Sequence, residues 1–299
     1  MMPSMYSSKS KASHDGDCLM DTARLDTARL DTARLDTARP GALVTGGGSG
    51  IGRAIALRLA ADGYDVAIWG RTKEKLQGTI DRVAPQCPGR IQAQVVDIRE
   101  ADQVDAALTE LLQRFETDQT AGIDVLVNNA GGQFVAAAES ISAKGFRAVT
   151  RLNLDATWYL TTQVVSRTML PRKQGKVICI TMTPRRGMPG MSHSSAARAA
   201  VESLVRTWAV EWGPHGIRTV AIAPGIVHTE GFDRYGVDPS AVATVVPLGR
   251  LQRPEEVADL VSFIAAPSGD YFTGCTLVMD GGLDVSGPHP MGAASSGQG

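Results

Sequence analysis

The sequence feature that most constrains the fold of this 299-residue chain is a glycine-rich stretch over residues 45–52, T-G-G-G-S-G-I-G. An apolar run over residues 42–44 leads into it, and apolar residues at helical spacing, beginning with Ile51, follow it. This pattern predicts a strand, a tight turn and a helix. Glycines let the backbone approach a ligand closely, and the start of the next helix favours an anion such as a pyrophosphate. The stretch therefore predicts a dinucleotide-binding loop, with a purely structural glycine turn as the alternative.

Gly46, Gly50 and Gly52 are spaced G-x-x-x-G-x-G, which differs from the G-x-G-x-x-G spacing of other dinucleotide folds. From residue 41 onward, short apolar runs alternate with amphipathic stretches, as in a parallel sheet covered by helices. We expect an α/β protein: a single doubly wound Rossmann-type domain whose seven-stranded, mostly parallel sheet has helices on both faces. Its strands are predicted near residues 42–45, 65–69, 91–97, 125–128, 176–181, 219–223 and 277–279.

Three segments of different character divide the chain. Residues 1–40 contain D-T-A-R-L repeats, whose period of five spreads the leucines around a helix instead of aligning them. A disordered N-terminal extension is expected there, with a partner-binding repeat as the alternative. Residues 41–285 are the predicted Rossmann domain. Residues 286–299 are rich in Gly, Ser and Ala and are expected to form a flexible tail.

Composition narrows the class of partner. The 43% hydrophobic content is sufficient for a full core, and the net charge of −1 provides no basic field for a nucleic acid. The four cysteines lack paired spacing, which argues against a zinc site or a disulfide framework and favours a reduced, cytoplasmic setting. No apolar run approaches the roughly 20 residues of a membrane helix. We therefore expect a soluble protein with a small-molecule substrate, no metal, no nucleic-acid partner and no membrane.

The end of the second predicted strand indicates which dinucleotide is bound. An acidic residue there would hold the ribose of NAD, but the sequence over residues 70–72 is G-R-T. Arg71 can pair with a 2′-phosphate, so the expected cofactor is NADP, unless Arg71 only opens the next helix. Asp97 and Ile98 are expected beside the adenine, or Asp97 caps a helix. Asn129 is expected to tie neighbouring strand ends together, and Gly131 to make room for the cofactor, or both belong to an ordinary loop.

Four motifs occur in order along the chain: the glycine-rich stretch, N-N-A-G at residues 128–131, Asn153 within R-L-N-L, and A-P-G-I-V-H-T at residues 223–229. With these motifs the chain resembles the short-chain dehydrogenase/reductase family over about residues 41–283. The resemblance implies one doubly wound domain, substrate binding at the carboxyl ends of the strands, and homo-oligomers, either dimers or tetramers. It also implies the cofactor contacts. They are Gly46, Ser49, Gly50, Ile51, Gly52, Arg71, Asp97, Ile98, Asn129 and Gly131 for the adenosine and pyrophosphate, and Pro224, Gly225, Thr229 and Arg198 for the nicotinamide and its ribose.

The sequence departs from the family in its catalytic residues. Most members carry a serine after the fifth strand and a Y-x-x-x-K motif whose tyrosine moves the carbonyl proton. Here Met182 stands at the serine position, between Thr181 and Thr183, and Ser194 and Arg198 replace the tyrosine and the lysine. A serine hydroxyl is a weak acid and an arginine keeps its proton, so the pair donates hydrogen bonds but is poorly suited to moving protons.

Such a pair favours reduction of a C=C bond conjugated to a thioester, because the enolate that forms needs mainly hydrogen-bond donors. Three stretches are closely similar to trans-2-enoyl-CoA reductases of peroxisomal type, and more loosely to 2,4-dienoyl-CoA reductases. They are L-V-N-N-A-G-G-Q-F, S-A-K-G-F and H-S-S-A-A-R-A-A-V. The similarity implies NADPH-dependent reduction of a trans-2-enoyl thioester, on CoA or a carrier protein, in fatty acid metabolism. The chain ends without an S-K-L-like signal, so a cytoplasmic location is expected.

The expected roles of the remaining residues follow from that reaction. Ser194, with Thr183, would bond the thioester oxygen, Arg198 would supply positive potential, and Asn153 would hold a water, as it does in the family's proton relay.

The proton for the α-carbon has two candidate sources. One is His193, because histidine as a residue type can exchange protons near neutral pH; the other is Tyr235, which lies in a predicted lid over residues 230–247. Packing or capping is the alternative for each. Two rival functions also stay open: an NAD(P)-dependent carbonyl reductase or alcohol dehydrogenase, and a cofactor-binding protein without catalysis.

Overall fold

Apolar runs form the seven strands of one sheet in a computed structural model, which describes residues 38–182 and 187–286. The strands are β1 (Arg39–Thr45), β2 (Asp65–Gly70), β3 (Arg90–Val95), β4 (Thr120–Asn128), β5 (Gly175–Ile180), β6 (Ile217–Pro224) and β7 (Cys275–Met279). Their order across the sheet is β3-β2-β1-β4-β5-β6-β7, and every neighbouring pair is parallel. The predicted fold is confirmed, with a sheet that is parallel throughout.

Nine α-helices lie within the described residues. They are α1 (Gly50–Ala61), α2 (Lys73–Ile80), α3 (Ala101–Thr117), α4 (Ala143–Thr150), α5 (Ala156–Val164), α6 (Leu170–Arg172), α7 (Ser192–Trp212), α8 (Pro239–Ala243) and α9 (Pro254–Ala265). Two π turns, Arg151–Asp155 and Val165–Met169, join α4, α5 and α6 into one helical stretch. A π turn often marks a functional position, and the first one contains the buried Asn153.

The core has one layer on each face of the sheet. In β1, Leu43 packs with residues of α3, α5 and α7, whereas Ala42 and Val44 pack with residues of α1 and α9 on the opposite face. This alternation follows from the strand geometry, since successive side chains point to opposite faces. Fully burying one such leucine or valine contributes about 1.5–3 kcal/mol, and both faces of the sheet gain in this way.

The topology determines where a ligand can bind. The strand order reverses direction between β1 and β4, so the loops that follow these two strands diverge and leave a crevice at the carboxyl edge of the sheet. The glycine-rich loop lies at the end of β1. The predicted dinucleotide loop is therefore at the position where open α/β sheets bind their ligands.

Two predicted segments fall mostly outside the described residues: the extension over residues 1–40, apart from residues 38–40, and the tail over residues 286–299, apart from Ser286. β1 already begins at Arg39, within the predicted extension. None of the helices in the described part of the chain combines the length and the apolar character that a bilayer span requires.

Candidate active site

The loop between β1 and α1 has backbone geometry that favours glycine. Gly46 and Gly50 have φ angles of +69° and +51°, in the left-handed region. The Gly46 N–H donates to the carbonyl oxygen of Trp69 at 2.7 Å, which fixes the loop against β2. A Cβ on Gly52 would lie 2.3 Å from the Gly46 carbonyl oxygen, so the absence of a side chain lets α1 pack onto the loop.

A cleft of about 340 Å³ opens along this loop. Ten of the residues predicted to bind the cofactor line it: Gly46, Ser49, Gly50, Ile51, Arg71, Asp97, Ile98, Asn129, Gly131 and Thr229. Four others, Gly52, Arg198, Pro224 and Gly225, are not part of its lining. Lys75, Glu230 and Arg234, which the sequence analysis did not single out, also line the cleft.

The start of α1 presents backbone donors to this cleft. Ser49, the N-cap residue, makes no side-chain hydrogen bond to the helix, and the first turn contains no acidic residue. The side chain of Thr229 closes over the same turn, since a Cβ on Gly50 would lie 3.1 Å from the Thr229 methyl carbon. A helix start without an anion of its own suits a phosphate. The residues present therefore fit a dinucleotide whose pyrophosphate binds at the start of α1.

Positive side chains dominate the part of the cleft at the ends of β2 and β3. Arg71 and Lys75 line it and are exposed. The Asp97 carboxylate is paired with the Arg99 guanidinium and also accepts from the Arg99 backbone N–H at 3.1 Å. Hydrogen bonds from Arg99 are the main reason that the pKa of Asp97 lies below its ordinary value, and the charge of Arg71 adds to the effect. Asp97 is thus held within the protein, whereas Arg71 and Lys75 face the cleft.

Asn129 ties the ends of β1 and β4 together, the role expected for an asparagine at this position. Its Nδ2 donates to the Thr45 carbonyl oxygen at 2.9 Å, and its backbone N–H donates to Thr45 Oγ1 at 3.0 Å. Thr45 Oγ1 donates in turn to the Val127 carbonyl oxygen at 3.3 Å. These bonds fix the floor of the cleft.

Asn153 positions the loop after β4. Its Oδ1 accepts from the Gly132 N–H at 2.9 Å, and its Nδ2 donates to the Gly132 carbonyl oxygen at 3.0 Å. Both the oxygen and the nitrogen of the side-chain amide therefore bond to Gly132, and the water expected at Asn153 stays a prediction. The double contact holds Gly132 and so places the next residue, Gln133, beside α7.

Ser194 lies in the first turn of α7 and is fully buried. Its Oγ donates to Gln133 Oε1 at 2.8 Å and lies 3.7 Å from the sulfur of Met182. A serine has one proton to donate, so this proton goes to Gln133 and not to a substrate. Gln133 is half-buried, and within the described ranges nothing accepts from its two amide N–H groups. In this structure the Ser194 hydroxyl therefore has its proton engaged, and the neighbouring amide N–H groups of Gln133 are donors without an acceptor in the described part of the chain.

Arg198 follows one turn later, with its guanidinium inserted between β5 and the loop after β4. Nη1 donates to the carbonyl oxygens of Ile180 at 2.7 Å and Thr181 at 3.3 Å. Nη2 lies where a Cβ on Gly131 would approach to 2.7 Å, so the space at this glycine is taken by Arg198. Burial lowers the pKa of Arg198 to about 10, while Tyr235 opposes the change. The side chain stays charged at neutral pH, with carbonyl groups as its partners.

His193 is fully buried beside the same helix turn. Its Nδ1 accepts from the Ser194 backbone N–H at 2.7 Å, and the Phe134 ring meets the imidazole edge-on at a centroid distance of 4.3 Å. With Nδ1 accepting, the ring proton lies on Nε2, which has no partner among the described residues. His193 is therefore shielded from solvent by its packing.

Tyr235 has a different environment. It ends the 3₁₀ turn Asp233–Tyr235, is 38% exposed, and is close enough to Arg198 to influence the pKa of that guanidinium. Thr183, the other hydroxyl predicted near the substrate, lies outside the described residues.

Pro224 ends β6, which is separated from β1 by β4 and β5, and Gly225 follows it. The Gly225 N–H donates to the Met279 carbonyl oxygen at 3.1 Å and to Gln252 Oε1 at 3.2 Å. A Cβ on Gly225 would lie 2.8 Å from the Asp280 Cα. This glycine permits the close approach of the chain after β7, and its contact with the nicotinamide stays a prediction.

Four residues of the site were not singled out from the sequence: Lys75, Gln133, Glu230 and Arg234. Gln133 follows the N-N-A-G-G run at the end of β4, and a polar residue at that edge of the sheet is a signal that could have identified it. Glu230 follows Thr229, but nothing local indicates that its carboxylate reaches α1. Across residues 38–182 and 187–286, no group of three or more His, Cys, Asp or Glu side chains is arranged to hold a metal ion.

Comparison with known proteins gives a consistent result. A family model described as enoyl-(acyl carrier protein) reductase matches residues 46–284. A Bacillus subtilis protein named "Probable 2,4-dienoyl-CoA reductase [(2E)-enoyl-CoA-producing]" is 35% identical over 254 residues, which are 83% of this chain and 97% of its own. The peroxisomal 2,4-dienoyl-CoA reductase of Danio rerio is also 35% identical, over 81% of this chain and 80% of its own. The 3-oxoacyl-[acyl-carrier-protein] reductase of Thermotoga maritima is 32% identical, over 81% and 97%.

Solved structures agree with these matches. Levodione reductase superposes with a TM-score of 0.78 at 30% identity, over 84% of this chain and 99% of its own. A Beutenbergia cavernae structure described as an NAD(P)-dependent gluconate 5-dehydrogenase, with NADP bound at low occupancy, gives a TM-score of 0.75 at 33% identity, over 84% and 98%.

Proposed function

This chain belongs to the short-chain dehydrogenase/reductase family and is an NAD(P)-dependent oxidoreductase, and we propose that it reduces the C=C bond of trans-2-enoyl thioesters with NADPH. Its relatives include reductases named for dienoyl-CoA and for 3-oxoacyl carrier-protein substrates, so acyl thioesters are the substrate class with the most support.

One observation carries the proposal: the site contains fixed hydrogen-bond donors where most of the family has a phenol and an amine. Ser194 directs the Gln133 amide through a 2.8 Å hydrogen bond, and Asn153 fixes the backbone just before Gln133. The buried Arg198 guanidinium adds a positive charge whose partners are neutral carbonyl groups. Gln133 and Arg198 can stabilise negative charge on an oxygen, but neither is suited to donating a proton to it.

Reduction of an enoyl thioester is a reaction that needs hydrogen-bond donors and positive charge of this kind. NADPH, when bound, supplies a hydride for the β-carbon of the substrate. Negative charge then develops on the thioester oxygen, where Gln133 would donate a hydrogen bond and Arg198 would contribute its potential. Fixed donors of this kind stabilise such charge strongly because they need no reorganisation as it develops.

Tyr235 is our choice for the group that protonates the α-carbon. Its side chain is 38% exposed and the neighbouring Arg234 lines the cleft, so the phenol is open to solvent beside the crevice and can exchange protons with water. His193 lacks that route, because it is fully buried and packed against Phe134.

The choice of NADPH over NADH rests on the positive end of β2. Arg71 and Lys75 line the cleft there, and Asp97 is already paired with Arg99. A 2′-phosphate would gain a charge-assisted hydrogen bond from Arg71, whereas no carboxylate at the end of β2 is placed to hold the ribose hydroxyls of NADH. The Michaelis constants for NADPH and NADH test this choice, and a clear preference for NADH would overturn it.

The experiment that tests the reaction compares two thioesters, crotonyl-CoA and acetoacetyl-CoA, with purified protein and NADPH. We expect NADPH to be consumed with crotonyl-CoA and not with acetoacetyl-CoA. Turnover of acetoacetyl-CoA alone would show a carbonyl reductase instead, and tight NADPH binding without any turnover would show a cofactor-binding protein. Loss of the enoyl reduction in Arg198→Ala would support the role of the guanidinium; a rate within about twofold of wild type would contradict it.

A second candidate substrate is a 2,4-dienoyl thioester, favoured by the names of the Bacillus subtilis and Danio rerio relatives. The same donors would stabilise the more extended dienolate. Faster turnover of 2,4-hexadienoyl-CoA than of crotonyl-CoA would assign the protein to that substrate.

We also propose a cytoplasmic homo-oligomer that acts in fatty acid metabolism. The three cysteines of the described ranges are free, which suits a reducing compartment. Two apolar side chains are exposed, Phe263 on α9 by 43% and Val278 on the edge strand β7 by 39%. Light scattering of the purified protein would measure its oligomeric state.

A further inference from the structure

Glu230, in the segment after β6, reaches the start of α1 with its carboxylate. Oε2 accepts from the Gly50 N–H at 3.1 Å, and Oε1 accepts from Arg53 Nη1 at 2.7 Å. Arg53 is itself held to the glycine-rich loop, because its Nη2 donates to the Gly48 carbonyl oxygen at 2.9 Å. The carboxylate and the helix start are 180 residues apart in sequence, so the contact is a product of the tertiary fold.

This carboxylate occupies one backbone donor, the Gly50 N–H, that a pyrophosphate at the start of α1 would use. The first turn of α1 contains no acidic residue, and Ser49 does not cap it, so Glu230 supplies a negative charge that the helix itself lacks. Gly50 and Glu230 both line the cleft along the loop. A pyrophosphate bound at the start of α1 would meet a like charge and would compete for the same N–H group.

Glu230 is held weakly enough to be displaced. Its side chain is 53% exposed, and an ion pair so open to solvent contributes little to stability. Burial works to raise the pKa of Glu230, but hydrogen bonds to backbone N–H groups and to Arg53 outweigh it. The pKa therefore lies below its ordinary value, and the group carries its full charge at neutral pH.

The same segment carries Tyr235. The carbonyl oxygen of Thr229 accepts from the N–H groups of Phe232 at 2.8 Å and Asp233 at 3.1 Å, which makes residues 229–235 one compact turn. A movement of Glu230 away from α1 therefore acts on the turn that ends at Tyr235.

We propose that Glu230 is an internal competitor of the cofactor: its carboxylate occupies the phosphate-binding start of α1 until the pyrophosphate displaces it. Glu230 thereby sets the affinity for the dinucleotide below the value that the glycine-rich loop alone would give.

The test measures cofactor binding directly, by fluorescence titration of the whole protein with NADPH. Glu230→Gln keeps the size of the side chain and removes only its charge. We expect it to bind NADPH about two- to fivefold more tightly, the effect of one charge at an exposed helix start. Asp233→Asn is the matched control, because Asp233 lies in the same turn and pairs with His228, and we expect its affinity to stay at the wild-type value. Unchanged or weaker binding by Glu230→Gln, or an equal gain in Asp233→Asn, would overturn the proposal.

Two further titrations locate the effect. ADP-ribose, which contains the pyrophosphate, should show the same gain in Glu230→Gln, whereas adenosine should bind both proteins equally. The gain should also persist when Glu230→Gln is introduced into Arg53→Gln, because it arises from removing the competitor and not from freeing Arg53. A gain for adenosine, or none in the Arg53→Gln background, would refute the competition. No substrate is reduced in these measurements, so their outcome is independent of the proposed reaction.

Discussion

Gln133 is the residue on which the proposed chemistry can be tested most sharply, because its role and that of Ser194 predict losses of different size. The Ser194 hydroxyl gives its one proton to Gln133 Oε1 at 2.8 Å. Ser194 then fixes the direction of the amide, and the amide N–H groups of Gln133 remain for the thioester oxygen. Removing Gln133 deletes the donor itself, whereas removing Ser194 deletes only the bond that orients it.

The expected losses follow from these two roles. Loss of a donor to a developing oxyanion costs about 10²- to 10³-fold in rate, so Gln133→Leu should lower kcat for crotonyl-CoA by that factor. Loss of a neutral hydrogen bond costs about 0.5–1.5 kcal/mol, so Ser194→Ala should lower it only about two- to tenfold. Gln133→Asn, which keeps the amide on a shorter side chain, should lie between wild type and Gln133→Leu.

The assay follows the absorbance of NADPH at saturating crotonyl-CoA. Ser195→Ala is the matched control, since it removes a hydroxyl from the same turn of α7 without touching Gln133, and it should retain wild-type kcat. NADPH titrations of each variant show whether the cofactor site is intact. A larger loss in Ser194→Ala than in Gln133→Leu, or a Gln133→Leu rate near wild type, would refute the assignment of the donor.

Three other substitutions test the structure around the site. Gly131→Ala would put a Cβ 2.7 Å from Arg198 Nη2, so we expect overpacking of about 1–3 kcal/mol in urea denaturation and a loss of reductase activity; full activity would contradict the position of Arg198. Gly52→Ala would put a Cβ 2.3 Å from a backbone oxygen of the loop, and should weaken NADPH binding at least tenfold in a fluorescence titration, whereas wild-type affinity would show that the loop tolerates a side chain there. Asp65 is 3% exposed and paired with Arg90 at 2.7 Å. Burial alone would raise the pKa of Asp65, but hydrogen bonding to Arg90 holds this pKa below its usual value. The stability from this carboxylate is complete above the unfolded-state pKa of about 4 and is lost as the pH falls through the lower, folded-state pKa. Urea denaturation across that range should therefore show a steeper acid loss in wild type than in Asp65→Asn, and parallel curves would count against the ion pair.

The sequence predicted the strands well because their signal is local. Apolar runs bounded by glycine or polar residues marked all seven, and the ends are where the prediction differs from the structure. β3 was predicted to continue to Asp97 but ends at Val95. Beyond it, the Asp97 N–H donates to Gln103 Oε1 and its carboxylate binds Arg99, so the chain has left the ladder.

β4 differs in the opposite direction. It was predicted to start at Val125 but begins at Thr120. Gly122 and Asp124 in this stretch are typical of a loop, yet Asp124 is buried in an ion pair with Arg172, 48 residues away. A charge whose partner is so distant in sequence gives no local sign that it can be buried.

The candidate site shows the same difference between features encoded by neighbouring residues and features that depend on contacts distant in sequence. The glycine-rich loop was predicted because its backbone geometry depends on residues that are consecutive in the sequence. The bond from Ser194 to Gln133 spans 61 residues and the one from Gly50 to Glu230 spans 180. Whether a hydroxyl is free or already hydrogen-bonded depends on such contacts. The motif therefore placed Ser194 near the site but could not reveal that its hydroxyl donates to Gln133.

The strand order also has a consequence for how the chain is assembled during synthesis. Each strand, taken in chain order, joins an open edge of the sheet already present, and none has to be inserted between two existing neighbours. The longest gap in sequence separates β1 from β4, where Val44 pairs with Val127, so this pairing closes the largest loop and should be the slowest to form. Because the crevice lies between these two strands, a ribosome-bound chain acquires a place for the nucleotide only after nearly half of it has emerged.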